Sequence, residues 1–350
     1  MGRHDLAQSF AEIEGRGKMI SIREVAQLAG VSASTVSRVM NGTAKVDPAK
    51  KERVLRVIEE TGFVPNEVAR TLFRKSAKTI GLIVPSIRNP YFTELAAYVD
   101  TMALQHGFRP FLCNTGYDSE KEKNAIQMLV SMNADAIIIA SCSEQIRGHI
   151  NNCPIPVVAL DAMLYGADVE ACIFCDYYEG GRMAAEYLIE NGCKNIVCIK
   201  GPQHRYSART RYQGYLDVCA ERSIPVQMVE CDYDFNQGMA MTEELLEKFP
   251  DVDGIIACND IVAISTYKVL HKRNISVPDQ VQLIGFDDIS FSALLTPELT
   301  TICQPIKDMA EKAVELIVNN ELTGMTGGKF VFPVSLAARQ TTKKYKIPGP

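Results

Sequence analysis

The sequence predicts an α/β protein in two parts, a small all-α head and a much larger α/β region behind it. Two observations predict this division. Near the start of the chain, short amphipathic segments carry helix-capping residues and a sharp turn that contains glycine. From Thr79 onward, short apolar runs alternate with amphipathic helical patterns over about 270 residues, which is enough chain for two lobes.

The charged residues are divided in the same way. From Met19 to Lys78 there are eleven Lys and Arg against six Asp and Glu, whereas from Thr79 to the end there are 23 against 33. A basic module joined to an acidic one indicates a polyanionic partner for the first part alone. A solvated helical surface would give the same charges, so this signal is weak by itself.

Composition and motifs disfavour several classes of protein. No apolar run approaches the roughly 20 residues that cross a bilayer, and no signal peptide is evident. Most of the eleven cysteines lie inside apolar runs, which favours reduced thiols in a cytosolic protein. Cys172 and Cys175 form one C-x-x-C pair, but no second pair or nearby histidine completes a zinc site. We therefore expect no cofactor and no metal.

Residues 1–18 are expected to be an expression tag and linker. Ile13–Arg16 spell the recognition sequence of a protease that is used to remove such tags, which would make Met19 the native first residue. A natural N-terminal extension is the alternative interpretation.

The first predicted helix follows Ser21. Ser21 and Glu24 have the spacing of a capping box, and Gly30 supplies the turn that ends the helix. Ser32 is expected to cap a second helix, which ends near Asn41. The residues of these two helices that are expected to face the core are Ile22, Val25, Ala26, Ala29, Val36 and Val39.

The third predicted helix begins at the capping pair Asp47 and Pro48 and ends at Gly62. Its inward-facing residues are expected to be Val54, Leu55, Val57 and Ile58. Because the first two helices are joined by a short turn that contains glycine, the head is predicted to hold a helix-turn-helix motif.

The second helix of this motif has small residues at its exposed amino-terminal end, with an arginine one turn later. Small side chains allow a helix to lie deep in the major groove of DNA, and arginine can donate two hydrogen bonds to a guanine edge. The pattern favours DNA binding through Ala33, Ser34, Ser37, Arg38 and Asn41. A plain three-helix bundle with a polar surface is the alternative.

Three stretches of the chain resemble the lactose-repressor (LacI) family of transcriptional regulators, and in particular its ribose-repressor-like, sugar-responsive branch. They are IREVAQLAGVSASTVSRVMNG, VLRVIEETGFVPNEVARTLF and IGLIVPSIRNPYF, and the resemblance extends from Met19 to about Gln340. It implies a helix-turn-helix DNA-binding domain at 19–64 and a hinge helix at 65–77. The DNA-binding residues that it implies are Ser21, Ser32, Ala33, Ser34, Thr35, Ser37, Arg38, Asn41, Asn66, Ala69, Arg70 and Leu72.

The hinge segment holds an apolar pair, Leu72 and Phe73, on a short cationic stretch. By the resemblance, this stretch becomes helical in the minor groove of an operator, and Leu72 is wedged between base pairs. Such a wedge unstacks one base step and bends the duplex, which widens the contact with the protein. The alternative is a linker helix whose leucine docks on the second region.

The apolar runs of the second region are continuous, as in parallel strands that are buried on both faces. They are TIGLIVPS, FRPFLCNTG, ADAIIIAS, PVVALD, NIVCIKG, GIIACND and VQLIGFDD. The resemblance implies a periplasmic-binding-protein type I fold, in which two Rossmann-like lobes are crossed near Asp176, Gln304 and Phe332. It implies an effector-binding and dimerisation domain at 78–345, with lobe 1 at about 78–176 and 305–332, and lobe 2 at about 177–304 and 333–345.

Polar and aromatic residues follow several of these runs, at the positions where parallel sheets bind ligands. Aromatic faces stack on the C–H surface of a sugar, carboxylates accept hydrogen bonds from its hydroxyls, and Arg, Asn and Gln donate hydrogen bonds to it. The expected ligand-binding residues are Asn89, Tyr91, Phe92, Asp161, Arg205, Ser207, Arg209, Arg211, Tyr233, Asn259, Asp287 and Gln304.

Some residues near these positions have other interpretations. Asp260 is interpreted as the cap of the helix that follows it, and Arg211 has a structural ion pair as its alternative role. The ribose-type pattern has an arginine directly after the aspartate of the first lobe, whereas this chain has Ala162. That departure leaves the identity of the sugar open.

The resemblance implies a cytoplasmic repressor of sugar-utilisation genes. It would bind a pseudo-palindromic operator as a homodimer, and a sugar such as a pentose would control its operator affinity allosterically. The alternative is a purine-responsive regulator of the same family, because Arg205, Ser207 and Asp287 align with purine-contacting positions of that branch. A sugar-processing enzyme with paired carboxylates is a more distant alternative, since no phosphate loop or nucleophile set is found.

Overall fold

The computed structural model describes residues 20–41, 46–63, 76–140, 143–164, 166–319 and 327–343. The chain divides into two compact units, Met1–Lys75 and Ser76–Pro350. Of the predicted hinge helix at 65–77, only the last two residues are described, so Asn66, Ala69, Arg70 and Leu72 lie outside the described residues.

The described part of the first unit is a bundle of helices that begin and end at the predicted capping residues. The helices are α1 (Ile22–Ala29), α2 (Ala33–Asn41) and α3 (Pro48–Thr61). The Ser21 hydroxyl accepts a hydrogen bond from the Glu24 N–H at 3.3 Å, and the Glu24 carboxylate accepts one from the Ser21 N–H at 2.7 Å. This confirms the capping box, and Gly30 ends α1 with a φ of 63°.

The core of this unit takes one valine from each helix, Val25, Val36 and Val54, and all three are fully buried. The prediction that Leu55 faces inward is wrong, because its side chain is 48% exposed. Val54 and Val57 are three residues apart and share the buried face of α3. Leu55 lies about 100° further around the helix, outside that narrow face.

The second unit contains two six-stranded sheets. Along the chain the strands are β1 (Thr79–Val84), β2 (Arg109–Asn114), β3 (Ala136–Ala140), β4 (Val157–Leu160), β5 (Ala171–Cys175), β6 (Ile196–Lys200), β7 (Gln227–Glu230), β8 (Gly254–Ala257), β9 (Gln282–Asp287), β10 (Thr300–Cys303), β11 (Gly328–Phe332) and β12 (Ser335–Ala337). The first sheet is parallel, in the order β11-β5-β4-β3-β1-β2. The second has the order β12-β10-β9-β8-β6-β7, with β12 antiparallel to β10.

Helices connect the strands of both sheets. They are α4 (Pro90–Gln105), α5 (Ser119–Ser131), α6 (Arg147–Asn151), α7 (Tyr177–Glu190), α8 (Tyr206–Glu221), α9 (Phe235–Lys248), α10 (Asp260–Lys272) and α11 (Ile306–Val318), with 3₁₀ turns at Glu144–Ile146 and Ser290–Ala293. Every residue of β3, β4, β8 and β9 is buried, which is the reason for their continuous apolar sequences.

The chain passes between the two sheets three times. It leaves the first sheet after β5 at Asp176, returns after β10 at Gln304, and leaves again beyond Phe332 at the end of β11. These are the crossing points that the family resemblance implies, so the expected two-lobed α/β fold is confirmed. We refer to the first sheet with its helices as lobe 1 and to the second sheet with its helices as lobe 2.

Two glycines bring α7 and α8 of lobe 2 into backbone contact. A Cβ atom on Gly181 would lie 2.0 Å from the carbonyl oxygen of Arg211, and one on Gly214 would lie 2.2 Å from that of Tyr178. Only glycine permits this approach. The contact holds Tyr177, the first residue of α7, beside Arg211 on α8, and the guanidinium lies 5.2 Å from the centre of the Tyr177 ring.

Candidate functional site

One cavity between the two lobes brings together most of the predicted ligand-binding residues. It is lined by Asn89, Tyr91, Phe92, Asp161, Ser207, Arg211, Tyr233, Asn259, Asp287 and Gln304. These residues lie at the carboxyl ends of strands, in the loops that follow, or in the first turns of the next helices. That is where parallel sheets place a ligand.

Lobe 1 contributes a rigid aromatic wall. Asn89 is the N-cap of α4, and its side-chain oxygen accepts a hydrogen bond from the Tyr91 N–H at 3.1 Å. Tyr91 and Phe92 are both buried, and their rings pack edge to face with centroids 5.0 Å apart. The cap fixes the start of the helix and therefore the direction of both rings.

Asp161, directly after β4, provides the carboxylate of lobe 1. Burial raises the pKa of this carboxyl, while the hydroxyl of Tyr177, which donates a hydrogen bond to it, and the charge of Arg211 both lower the pKa. The hydroxyl of Tyr177 comes from the first residue beyond the crossing at Asp176. Asp161 is thus held by a neutral donor from lobe 2, and its remaining lone pairs can accept hydrogen bonds from ligand hydroxyls.

Gln304, at the second crossing, joins the two lobes across the cavity. Its side-chain oxygen accepts hydrogen bonds from the Tyr91 hydroxyl at 3.3 Å and from the Cys175 thiol at 2.9 Å, both in lobe 1. Its amide donates to the Asp287 carboxylate of lobe 2 at 2.6 Å. A ligand that contacts Gln304 would therefore be coupled to both lobes.

Arg211 and Asp287 form the ionic side of the cavity. The Arg211 guanidinium lies 3.8 Å from the Asp287 carboxylate, donates to the Cys258 carbonyl at 2.8 Å, and stacks 3.7 Å from the centre of the Phe286 ring. Burial raises the pKa of Asp287 well above its usual value, and Arg211 opposes that shift. Among the described residues, the Arg211 Nε atom is buried and has no hydrogen-bond partner. Arg211 therefore makes the ion pair with Asp287 and also lines the cavity.

The head presents the predicted polar residues at the start of α2. Ser34 and Arg38 are exposed, whereas Ala33, Thr35 and Ser37 are partly exposed. The Ser32 hydroxyl caps α2 by accepting from the Thr35 N–H at 3.2 Å, and it also lies 2.8 Å from the Ser34 hydroxyl. Ser21 is exposed and caps α1. Asn41 is the last residue of α2, and its side chain lies outside the described residues.

Family models match both units of the chain. The model of bacterial regulatory proteins of the lacI family matches residues 21–66. The model of periplasmic binding proteins and the sugar binding domain of the LacI family matches residues 77–326. This chain belongs to the LacI family.

Curated LacI-family relatives match the chain over most of its length. A ribose operon repressor of Halalkalibacterium halodurans is 36% identical over 326 residues, which are 93% of this chain and 98% of that protein. An HTH-type transcriptional repressor PurR of Aliivibrio salmonicida is 31% identical over 86% of this chain and 92% of that protein. Because such relatives are transcriptional repressors, this LacI-family protein is a DNA-binding regulator and not an enzyme.

Solved structures of the family support the same assignment. The Lac repressor dimer bound to operator and an anti-inducer is 26% identical, with a TM-score of 0.83 over 93% of this chain and 99% of that one. A periplasmic binding protein/LacI regulator from Alkaliphilus metalliredigens, complexed with D-xylulofuranose, is 35% identical. Its TM-score is 0.68 over 76% of this chain and 100% of that one.

In the ranges given above, no group of three or more His, Cys, Asp or Glu side chains is arranged to hold a metal ion. No helix within those ranges has both the length and the apolar character needed to span a bilayer.

The structure places two of the predicted arginines outside the cavity lining. Arg209 is exposed, and its guanidinium donates to the Gln203 carbonyl at 3.0 Å, so it does not line the cavity. Ser207 and Arg211 are four residues apart on α8 and share the face toward the cavity, whereas Arg209 lies on the opposite face. Arg205 precedes α8 and stacks on the ring of Tyr117, with the guanidinium 4.4 Å from its centre.

The interpretation of Asp260 as a helix cap is also wrong. Asn259 caps α10, because its side-chain oxygen accepts from the Val262 N–H at 2.9 Å. Asp260 is fully buried, and its carboxylate accepts hydrogen bonds from the Ile289 N–H and from the hydroxyls of Ser292 and Thr301. It therefore anchors the segment that follows β9 to the start of α10.

The sequence analysis missed three residues beside this site, Tyr117, Cys175 and Tyr177, which contact Arg205, Gln304 and Asp161 in that order. Tyr117 and Cys175 both lie at carboxyl ends of strands of lobe 1, so the rule that found the other residues also applies to them. Tyr177 follows the crossing at Asp176, and no strand end indicated it. Its role depends on a hydrogen bond to Asp161, sixteen residues away in the chain, which the sequence pattern does not encode.

Proposed function

We propose that this LacI-family regulator is a repressor whose operator affinity is lowered by a five-carbon sugar bound between the two lobes. The observation that carries the proposal is the cavity itself, in which two buried carboxylates, one arginine and three aromatic rings converge from both lobes. Such a set recognises a small polyol with apolar C–H faces.

Each group in the cavity suits one feature of a sugar. Asp161 and Asp287 can accept from neighbouring hydroxyls, while Arg211 and the amide of Asn259 can donate to hydroxyl oxygens. The rings of Tyr91 and Phe92 offer apolar surface to the C–H face of the sugar ring.

The relatives support a five-carbon sugar. One is a repressor of a ribose operon, and a regulator with 35% identity has been solved with D-xylulofuranose. Ala162, which is 7% exposed, stands where the ribose-type pattern has an arginine, so this chain lacks one positive charge beside Asp161. D-Ribose and D-xylulose are therefore the first candidates.

We propose the DNA-binding parts in the positions that the sequence suggests. Residues 19–64 form the DNA-binding domain, with α2 as the recognition helix, and residues 65–77 form the hinge helix, with Leu72 as the wedge. Residues 78–345 bind the effector and dimerise. Exposed apolar residues at two sheet edges support an interface between two copies. They are Phe111 and Leu112 on β2, Met228 on β7 and Val226 directly before β7. The protein would act in the cytoplasm.

Calorimetric titration of the purified protein tests the effector class. D-Ribose, D-xylulose, D-glucose, D-galactose, hypoxanthine and guanine would each be titrated under the same conditions. We expect binding of one or both five-carbon sugars in the micromolar range and no heat with the purines. Binding of a purine alone would favour the alternative regulator, which is less supported because the PurR relatives match over 85–86% of this chain, against 93% for the ribose operon repressors.

A further inference from the structure

The turn after β2 holds Tyr117 in an unusual backbone conformation. Gly116 and Tyr117 are consecutive residues in the left-handed region, with φ of 67° and 63°. Glycine adopts this conformation freely, whereas a tyrosine there costs about 1 kcal/mol. Strain of this kind persists where the surrounding structure enforces it, and it is concentrated at binding and switching sites.

The strained turn places the Tyr117 ring against the other lobe. Tyr117 follows β2 in lobe 1, and Arg205 precedes α8 in lobe 2. The guanidinium of Arg205 lies 4.4 Å from the centre of the Tyr117 ring, which is stacking distance for an arginine on an aromatic face. The charge of Arg205 also lowers the pKa of Glu122 on α5, which burial raises. Arg205 therefore faces lobe 1 across the cleft.

The hydroxyl of Tyr117 is buried and has no hydrogen-bond partner among the described residues. Its ring contacts Arg205, which is two residues before Ser207 of the cavity lining. Buried polar groups almost always have a partner, so the Tyr117 hydroxyl marks a position where a ligand supplies it.

We propose that Tyr117 and Arg205 form a clamp across the cleft, in which the Tyr117 hydroxyl binds a hydroxyl of the sugar while its ring holds the Arg205 guanidinium of the opposite lobe. This inference rests on the proposed function, because it assumes a sugar in the same cavity. In the clamp, Tyr117 contributes to sugar specificity, and Arg205 holds lobe 2 against lobe 1 around the sugar. It also explains why Arg205 faces the ligand without lining the cavity.

The two halves of the clamp have different expected effects. Tyr117→Phe keeps the ring and its stacking on Arg205 but removes the hydroxyl, so we expect about tenfold weaker sugar binding. Arg205→Ala removes the stacking between the lobes, so we expect about fivefold faster sugar dissociation with little change in the association rate. A purely structural role for either residue would lower thermal stability without this division between affinity and rate.

Tyr178→Phe is the matched control. Tyr178 adjoins Tyr177 on α7, and its hydroxyl donates to the Asp217 carboxylate at 2.7 Å, away from the cavity. This variant also loses one tyrosine hydroxyl, together with its hydrogen bond to a carboxylate. It therefore measures any effect on sugar binding that does not depend on where the lost hydroxyl lies. We expect its affinity for D-ribose and D-xylulose, and its dissociation rates, to equal those of the unaltered protein.

The experiment is calorimetry and stopped-flow dissociation of D-ribose and D-xylulose from the full chain and the three variants. Tenfold weaker binding by Tyr117→Phe and faster dissociation from Arg205→Ala would support the clamp. If the unaltered protein binds a sugar and both variants match it, the clamp is rejected while the proposed function stands. If the unaltered protein binds neither sugar, the proposed function fails instead.

Hydrogen exchange without sugar tests the clamp independently of the ligand. If the stacking of Arg205 on Tyr117 holds the strained turn, Arg205→Ala should accelerate amide exchange at Gly116–Asp118, and Tyr178→Phe should leave it unchanged. Equal exchange at this turn in all three proteins would overturn the clamp, whatever the sugar measurements show.

Discussion

The two lobes place a carboxylate at comparable points of the cavity but hold it in different ways. Asp161 and Asp287 each lie at the carboxyl end of a strand with positive φ, 53° and 123°. Asp161 accepts from the neutral hydroxyl of Tyr177, whereas Asp287 lies beside the charged Arg211 and accepts from Gln304. Asp287 is therefore in contact with a cation, whereas the residue that donates to Asp161 is neutral, although the charge of Arg211 also lowers the pKa of Asp161.

This difference indicates separate roles for the two sides. A buried ion pair is costly to break because the remaining charge is left without compensation, so the lobe 2 side is expected to be a fixed framework. A hydroxyl–carboxylate bond leaves the carboxylate free to accept further hydrogen bonds, so the lobe 1 side is expected to adjust to the ligand. Both sides are joined at Gln304, which contacts the two lobes at once.

The largest effect is expected from Arg211→Leu, which leaves Asp287 without its cation. We expect the free energy of unfolding to fall by about 3 kcal/mol and sugar affinity to fall by more than about 100-fold. Chemical denaturation and calorimetry measure the two quantities. Arg182→Leu, which breaks pairs with Glu186 and Glu221 on lobe 2, is the control and should leave sugar affinity unchanged. Equal loss of sugar binding in both variants would contradict a specific role for Arg211.

A smaller effect is expected from Tyr177→Phe, which removes the donor to Asp161. The Tyr177 hydroxyl lowers the pKa of Asp161 against burial, so its loss raises that pKa further. More Asp161 is then protonated at a given pH, and a protonated carboxyl accepts hydrogen bonds less well. We expect sugar affinity to be about three- to tenfold weaker near neutral pH and to fall, on acidification, at a higher pH than in the unaltered protein.

The control for this pH profile is Tyr178→Phe, whose affinity should follow that of the unaltered protein at each pH. Calorimetric titrations between pH 5 and pH 8 (roughly the range in which a raised carboxyl pKa is felt) would measure it. Parallel profiles for Tyr177→Phe and Tyr178→Phe would show that Tyr177 does not act through Asp161.

The smallest effect on sugar binding is expected at Asp260, which lies behind Asn259 and contacts only neutral donors. Burial raises its pKa to about 7, so the folded protein holds this proton more tightly than the unfolded chain does. Asp260 therefore stabilises the folded protein most at low pH. The free energy of unfolding falls as pH rises from about 4 to about 7, because the tighter binding of this proton no longer contributes. Relative to Asp260→Asn, the unaltered protein should lose stability over that interval, as measured by denaturation at each pH. A difference between the two that is independent of pH would contradict this.

Most of the cavity residues could be predicted from the sequence because they follow the carboxyl ends of parallel strands. Asn89, Asp161 and Asn259 follow different strands, and a parallel sheet brings their carboxyl ends to one edge without any further information. Helix caps were equally predictable, since Ser21 and Asp47 act on residues three positions away.

Features that depend on packing between elements were not predictable. Arg209 and Arg211 are two residues apart on α8. Only the rotation of that helix against the sheet decides that Arg211 enters the cavity and Arg209 does not. The hydrogen bond of Tyr177 to Asp161 joins two lobes, so neither local sequence indicates it. Among the strands, β11 and β12 have no fully buried residue, and they carry no long apolar run.

The most direct test of sugar control is operator affinity with and without the sugar. An inverted-repeat duplex selected from randomised DNA would be titrated with the full chain at physiological salt, by fluorescence anisotropy, in the presence and absence of saturating D-ribose or D-xylulose. Coupling of about 1 to 3 kcal/mol predicts that the operator Kd rises between about fivefold and 150-fold when the sugar binds. An operator Kd that stays the same when calorimetry shows the cavity to be saturated would contradict it.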